Sequence, residues 1–404
     1  MKVLALAGYD SFLNTARLIA PYFEKHGASV EFGIVKARSK TQITERQVAE
    51  MGIERLVQNI DIRRFCEEGR FRDYDIILSC LEGLSSRRIF YYLAQHDEKR
   101  PFVISLYPGL LLRNAYEGHA ARAPADRIWL NCRRDLQAYQ AMCRSFGMDG
   151  SNARLFGLAS VLEKVERMPV VDRNGPVVFF EQAVIPRFYE ERKYMVEALC
   201  DLARRYPDRS FLIKARASGK QATLHSAWHA IDKLLDEVAS EEKGVPDNIQ
   251  MTGETATQLL SCASCCLTVT STVAVEAIHA GVPTALVSDI GASDDYGLQY
   301  FYGSNLLTGL EQLDLDNVSA PDPDWLLTHT HDPYKVIEDL VQDCIENAKT
   351  GQLDHWSRSI AMGSMGIQKT LLQPDPEYFL SQGYKKRRSI FSTIRLRIAK
   401  WLGH

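Results

Sequence analysis

The segment Cys266–Asp289, CLTVTSTVAVEAIHAGVPTALVSD, carries three consecutive hydroxyls, Thr270, Ser271 and Thr272, between an apolar run and a helical one. A helix start presents unpaired N–H groups and a partial positive charge. Ser and Thr placed there can cap the helix, or they can hydrogen-bond an anion such as a phosphate. Glu276 stands one turn further on, and the chain returns to a second apolar run through Gly281-Val282-Pro283. Upstream, FLIKARASGKQATLH sets Lys214, Arg216, Lys220 and His225 at and beyond the end of a strand-like run. Cations in that position suit a phosphate or a carboxylate, and they equally suit a solvated basic loop.

Asp10 directly follows the first apolar run, in AGYDSFLNTARLI. A carboxylate there could act as general base on an acceptor hydroxyl; alternatively Asp10 or Ser11 caps the helix that follows. The Pro108-Gly109 turn opens a long loop, SLYPGLLLRNAYEGHAARAPAD, expected to line a cleft. Its Glu117 and His119 are a second acid/base pair or plain surface residues, and Glu117 and Glu181 stand behind Asp10 as alternative bases. Asp294, Asp295 and Tyr296 could contact a sugar or a base, or cap a helix. His225 and His229 share zinc-like i, i+4 spacing but lack a third ligand, so no metal is expected. The same holds for the two histidines of THTHDP. Cys262, Cys265 and Cys266 have C-x-x-C spacing without a partner pair and read as core. The phosphate-loop and dinucleotide fingerprints are absent, which argues against an NTPase or a dehydrogenase.

These side chains need strands and helices to hold them. Short apolar runs (Met1–Ala7, SVEFGIVKA, DYDIILSCLEG, RPFVISLYPG, RIWLNC) alternate with helical spacing over Asn14–Lys25, RRIFYYLAQHD and RRDLQAYQAMCRSFG. Such alternation predicts βαβ units and a parallel sheet. A first unit is expected over 1–158, a linker over 159–176 ending in MPVVDRNGP, and a second alternating unit over 177–375. The second contains VVFFEQ, a helix over ERKYMVEALCDLARRYPDR, the strand SFLIKAR, a helix around His225–Ala239, NIQMTG and a helix over TATQLLSCA. The expected fold class is α/β, with two Rossmann-like domains facing a cleft and ligands beyond the carboxyl ends of the strands.

The Ser-Thr, Glu, Gly-x-Pro arrangement is similar to the nucleotide-sugar site of many GT-B glycosyltransferases. Across Val3–Trp325, the motifs DSFLNTARL, VISLYPGLLL, NCRRDLQAY, FGLAS, PDRSFLIKARASGKQATLH, TSTVAVEAIHAGVPTALVSDIG and GSNLLTGL resemble a family of bacterial glycosyltransferase-like proteins known mainly from actinobacteria. Members often carry Gln-Pro where this chain has Gln182-Ala183, and their strand at Lys214 is usually more basic. The family is more remotely similar to GT-B sialyltransferases and capsule Kdo transferases, which use CMP-activated 2-keto acid sugars.

The resemblance implies a transferase that builds a cell-surface glycan, with Ser271, Thr272, Glu276, Gln182, Lys214 and Arg216 around the donor. On this reading Asp10 is expected to activate the acceptor, His225 to neutralise or protonate the leaving phosphate, and Pro108, Gly109 and Glu117 to line the acceptor side or the cleft. The nucleotide-sugar is a substrate; no cofactor is expected, and metal independence is expected because no D-x-D-like metal motif stands at a strand end. Two rivals remain: a non-transferring GT-B enzyme such as a sugar-nucleotide epimerase, which needs several cleft carboxylates, and an inactive module that binds a nucleotide-sugar or a glycan.

The chain has 404 residues and a formal net charge of -3, which excludes a basic nucleic-acid binder. Its first apolar run is too short for a secretory signal, and scattered cysteines suit a reducing cytoplasm. Residues 384–404 differ: Lys385, Lys386, Arg387, Arg388, Arg395, Arg397 and Lys400 occur with no acidic residue. Ile390, Phe391, Ile394, Ile398, Trp401 and Leu402 recur at helical spacing beside them. That pattern suits an amphipathic helix on an anionic inner membrane face, near a glycan or lipid-linked acceptor, or a helix packed on the domain.

Overall fold

A computed structural model describes residues 1–35, 43–53, 55–96, 100–113, 115–167, 174–215, 229–291 and 294–351. The first unit places β1 (Lys2–Ala7), β2 (Ser29–Val35), β3 (Leu56–Ile60), β4 (Ile76–Cys80), β5 (Phe102–Leu106), β6 (Arg127–Leu130) and β7 (Ala153–Leu155) in one sheet. The strand order is β3-β2-β1-β4-β5-β6-β7, and every pairing is parallel. Parallel strands covered on both faces must be apolar throughout; β4 and β5 are buried at every position. The helices α1 (Asp10–Lys25), α2 (Glu45–Glu50), α3 (Ile62–Glu67), α4 (Gly83–Ala94), α5 (Ala115–Arg122) and α6 (Arg133–Ser145) connect them. Two cores flank the sheet, one including Leu13, Ile19, Phe23 and Ile104, the other Leu6, Phe65, Phe71 and Ile77.

The second unit repeats the plan. Its strands are β8 (Val177–Phe180), β9 (Phe211–Lys214), β10 (Ile249–Thr252), β11 (Cys265–Thr268), β12 (Thr284–Val287) and β13 (Leu307–Thr308). They run in parallel in the order β10-β9-β8-β11-β12-β13. The described helices are α7 (Tyr189–Arg205), α8 (Ile231–Ala239), α9 (Ala256–Cys262), α10 (Val273–His279), α11 (Pro323–His329) and α12 (Ile337–Thr350). In both sheets the order reverses beside the first strand of the unit, between β1 and β4 and between β8 and β11. That reversal opens a crevice at the carboxyl ends, where doubly wound sheets bind ligands.

α12 departs from the expected partition. It follows the second unit in sequence but packs on the first: Ile337, Leu340, Val341, Cys344 and Ile345 share a core with β1 and α1. Lys25 Nζ meets Glu338 Oε1 at 2.6 Å, and Arg127 Nε meets Asp343 Oδ2 at 2.7 Å. The crossing chain passes close to Gly157, whose φ of +113° and approach to the His331 carbonyl leave no room for a Cβ. Among the described residues no helix is long and apolar enough to cross a membrane. The basic segment 384–404 lies outside the described residues.

Candidate functional site

A cavity of about 680 Å³ lies between the two units. Its walls come from the segments that follow β1, β4, β8 and β11, the strands that flank the two points of reversal, and from the segment that follows β5, next to β4. Across the cleft, a Cβ on Gly109 would lie 3.4 Å from Thr272 Cγ2, so the Pro108-Gly109 turn meets the β11–α10 joint at contact distance.

The three hydroxyls of that joint divide their roles. Thr270 is buried, and its hydroxyl donates to the Tyr296 carbonyl at 2.7 Å. Its N–H donates to Gln182 Oε1 at 2.8 Å. Gln182 therefore clamps the end of β8 to the joint. Ser271 and Thr272 both line the cavity. Thr272 occupies the cap position of α10 but makes no side-chain cap bond. Ser271 Oγ lies 3.4 Å from the Val273 N–H, beyond the ordinary range for such a bond. Their hydroxyls are thus weakly committed within the fold, and a negatively charged ligand would find donors there.

The facing wall belongs to the first unit. Glu82 caps α4: its Oε1 accepts from the Ser85 N–H at 3.0 Å and the Ser85 hydroxyl at 2.6 Å. Its Oε2 lies beside Gly8, 3.9 Å from where a Cβ on that glycine would sit. Arg87 and Glu117 also line this wall, with Arg87 Nη2 3.9 Å from Glu117 Oε1. Deeper, the Tyr107 hydroxyl and His119 Nδ1 are 2.9 Å apart. Burial, followed by the charges of Arg122 and Arg134, pushes the His119 imidazole down to about 4, so it is neutral at pH 7.

Of the residues selected from sequence, the structure brings Pro108, Gly109, Glu117, Gln182, Ser271 and Thr272 to one cavity. Gln182 enters as a positioning residue. Asp10 is the first residue of α1; its Oδ1 accepts from the Ser11 N–H at 2.8 Å, and Ser11 and Phe12, not Asp10, line the cavity. Lys214 ends β9 with Nζ 3.4 Å from the Gly253 carbonyl, and Glu276 lies on the first turn of α10; neither is part of the lining. Arg216, Lys220 and His225 lie outside the described residues.

Several alternatives resolve as architecture. Glu181 forms a buried ion pair with Arg192. Tyr296 is buried and hydrogen-bonded to Glu191 and to the Arg187 N–H, while Asp294 and Asp295 are exposed. His119 is fully buried rather than a surface residue. His229 stacks edge-on to Tyr189. Cys265 and Cys266 are core residues of β11, with burial pushing both thiols up, Cys265 to about 12. Among the described residues no group of three or more His, Cys, Asp or Glu could hold a metal ion. Sequence reasoning missed Glu82, Arg87, Tyr107 and Arg122. The signal for Glu82 was present: a lone carboxylate directly after the apolar run IILSCL.

No curated protein sequence matches the chain at a significant level. Among solved structures, Staphylococcus aureus MnaA in complex with UDP superposes with a TM-score of 0.57 at 8% identity, over 87% of this chain and 98% of that one. A UDP-GlcNAc 2-epimerase from Neisseria meningitidis bound to UDP-GlcNAc gives a TM-score of 0.50 at 14% identity, over 92% and 100%. These likenesses are of fold: two Rossmann-like domains facing a cleft, the architecture of GT-B glycosyltransferases and epimerases. Residues 3–343 match the model of the family described as "Putative glycosyltransferase (DUF6716)", and the chain belongs to that family.

Proposed function

We propose that the protein transfers a sugar from a nucleotide-sugar to a hydroxyl acceptor held in the interdomain cleft. The observation that carries this reading is the pair of cleft-facing hydroxyls, Ser271 and Thr272, at the carboxyl end of β11 where the strand order reverses. They would donate hydrogen bonds to the leaving phosphate, and stabilising a leaving group in this way is a large catalytic contribution. Across the cleft a carboxylate takes the proton from the acceptor hydroxyl. The acceptor oxygen then bonds to the anomeric carbon as the bond to the phosphate oxygen breaks. We assign the carboxylate role to Glu82: it lines the cavity, and its bonds to Ser85 hold one oxygen while the other is left for the proton. Asp10, one residue outside the lining, is the rival. The resemblance also assigns His225 to the leaving phosphate and Arg216 to the donor; both lie outside the described residues.

The donor is a pyrimidine nucleotide-sugar. The resemblance to sialyltransferases and Kdo transferases supports a CMP-activated 2-keto acid sugar, whereas the solved neighbours of this fold carry UDP and UDP-GlcNAc. A bound nucleotide raises the melting temperature by mass action. We expect UDP or CMP to raise it and GDP to do so less; a shift with GDP alone would contradict the assignment. The fold likeness to epimerases leaves a second reading, which incubation with UDP-GlcNAc and no acceptor separates: an epimerase interconverts the sugar, a transferase leaves it unchanged.

A further inference from the structure

Arg122 ends α5 on the floor of the first unit's cleft wall and is 4% exposed. Its Nε donates to the Leu106 carbonyl at 3.2 Å, Nη1 to Gly118 at 3.2 Å and Nη2 to Leu81 at 2.6 Å. Its guanidinium carbon stands 4.1 Å from the centre of the Tyr107 ring. All of these partners are neutral. Three other sheltered arginines meet carboxylates: Arg100 meets Asp126, Arg127 meets Asp343, and Arg192 meets Glu181. Among the described residues no carboxylate forms such a pair with Arg122. Carbonyls satisfy its N–H groups without cancelling its charge, and a buried charge ordinarily has an opposite one beside it. Burial pushes the Cys80 thiol and the Tyr107 hydroxyl up and the His119 imidazole down, and the Arg122 charge, a smaller influence, pulls all three down.

Arg87 adds to this excess. Its side chain is 14% exposed, and its nearest carboxylate, Glu117, is 71% exposed and 3.9 Å away, so water screens the pair. Glu82, the other carboxylate of this wall, has Oε1 turned onto Ser85. Arg113 lines the outer part of the cleft and is exposed.

We infer that the first unit's wall is a subsite for an anionic group, a carboxylate or a phosphate carried by the acceptor sugar, with Arg122 and Arg87 as its cations. This rests on the glycosyl-transfer reading, in which the donor phosphate faces Ser271 and Thr272 on the opposite wall. Guanidinium groups suit either anion, because their N–H fork matches two oxygens at once. A neutral acceptor would leave the Arg122 charge without a counter-ion in the cleft.

The test uses the full chain, with glucuronic acid, glucose 6-phosphate and glucose as probes, titrated with and without saturating UDP. The two charged sugars are expected to bind at least about tenfold more tightly than glucose, the scale of one charge-assisted hydrogen bond. Which of the two binds better tells carboxylate from phosphate. Arg87→Gln is expected to erase most of that preference while changing UDP affinity less than about twofold. Arg122→Lys, which keeps a charge but loses the fork, is expected to weaken the charged sugars in the same direction. Equal binding of glucose and the charged sugars would overturn the inference. So would a parallel loss of UDP affinity in Arg87→Gln, which would place the anion on the donor. Failure of UDP to bind the unaltered protein would count against the donor site, and the charge preference measured without UDP would still decide the subsite.

Discussion

Glu82 shows how a site residue is fixed by its neighbours. A Glu at a helix cap is less common than Ser, Thr, Asp or Asn, yet here its bonds to Ser85 hold the carboxylate at the cleft. Glu82→Gln keeps the cap acceptor and removes the base, so transfer is expected to fall about 10²–10⁴-fold with nucleotide affinity retained. Asp10→Asn is expected to cost far less, and the ratio of the two initial rates decides between them. That Ser271 and Thr272 would reach the cavity was legible because they stand just after an apolar strand, where a doubly wound sheet presents its ligands, whereas Gln182 was suggested only by the family resemblance. Arg122 was not, and His119 was legible as an acid/base candidate but not as a buried residue, because EGHAARAPAD reads as a polar loop. Gly118 is a poor helix former; the helix over Ala115–Arg122 is held by burial of His119 and Arg122 beneath it, a tertiary effect that spacing does not encode.

At the scale of elements, the long alternating strands and helices were readable from periodicity, and the joint Cys266–Asp289 folds as strand, helix and strand as its pattern predicts. β13 spans two residues and β7 three, too short for any periodicity to register. α12 has an amphipathic pattern, but the pattern does not say which sheet it covers. Ile337, 1% exposed, packs with the first unit's core. Ile337→Ala is therefore expected to destabilise by about 2–5 kcal/mol. Hydrogen exchange is expected to show the loss of protection in β1 and α1, far away in sequence. Loss confined to the second sheet would contradict the packing.

At the scale of the whole molecule, two buried groups oppose each other in acid. His119 is held down at about 4, so the unfolded chain takes up its proton first and stability falls as pH drops from 6.5 toward 4. Burial pushes Asp135 up to about 6, so the folded chain takes up that proton first and stability rises over much of the same range. Asp135→Asn removes the second effect alone. Relative to the unaltered protein, it is expected to lose on the order of 3 kcal/mol on going from about pH 6.5 to about pH 4, read from urea midpoints. An unchanged difference between the two pH values would contradict the burial of an ionisable Asp135. The basic segment 384–404 is proposed to bring this molecule to an anionic membrane surface, each cation contributing about 1 kcal/mol. Full-length protein is expected to sediment with phosphatidylserine vesicles at low salt, and a chain ending at Gly383 to stay in solution; equal sedimentation would remove that role.

The two hydroxyls at the start of α10 are the proposed anchors of the donor phosphate. Binding of UDP and CMP to the unaltered protein and to the double variant Ser271→Ala, Thr272→Ala, followed by calorimetry, addresses them directly. Hydrogen bonds to a charged phosphate are worth about 1.5–3 kcal/mol each, so the double variant is expected to bind at least about tenfold more weakly. Its melting temperature without ligand should change little, because neither hydroxyl makes a firm cap bond. Unchanged nucleotide affinity in the double variant would contradict the placement of the donor phosphate in this cleft.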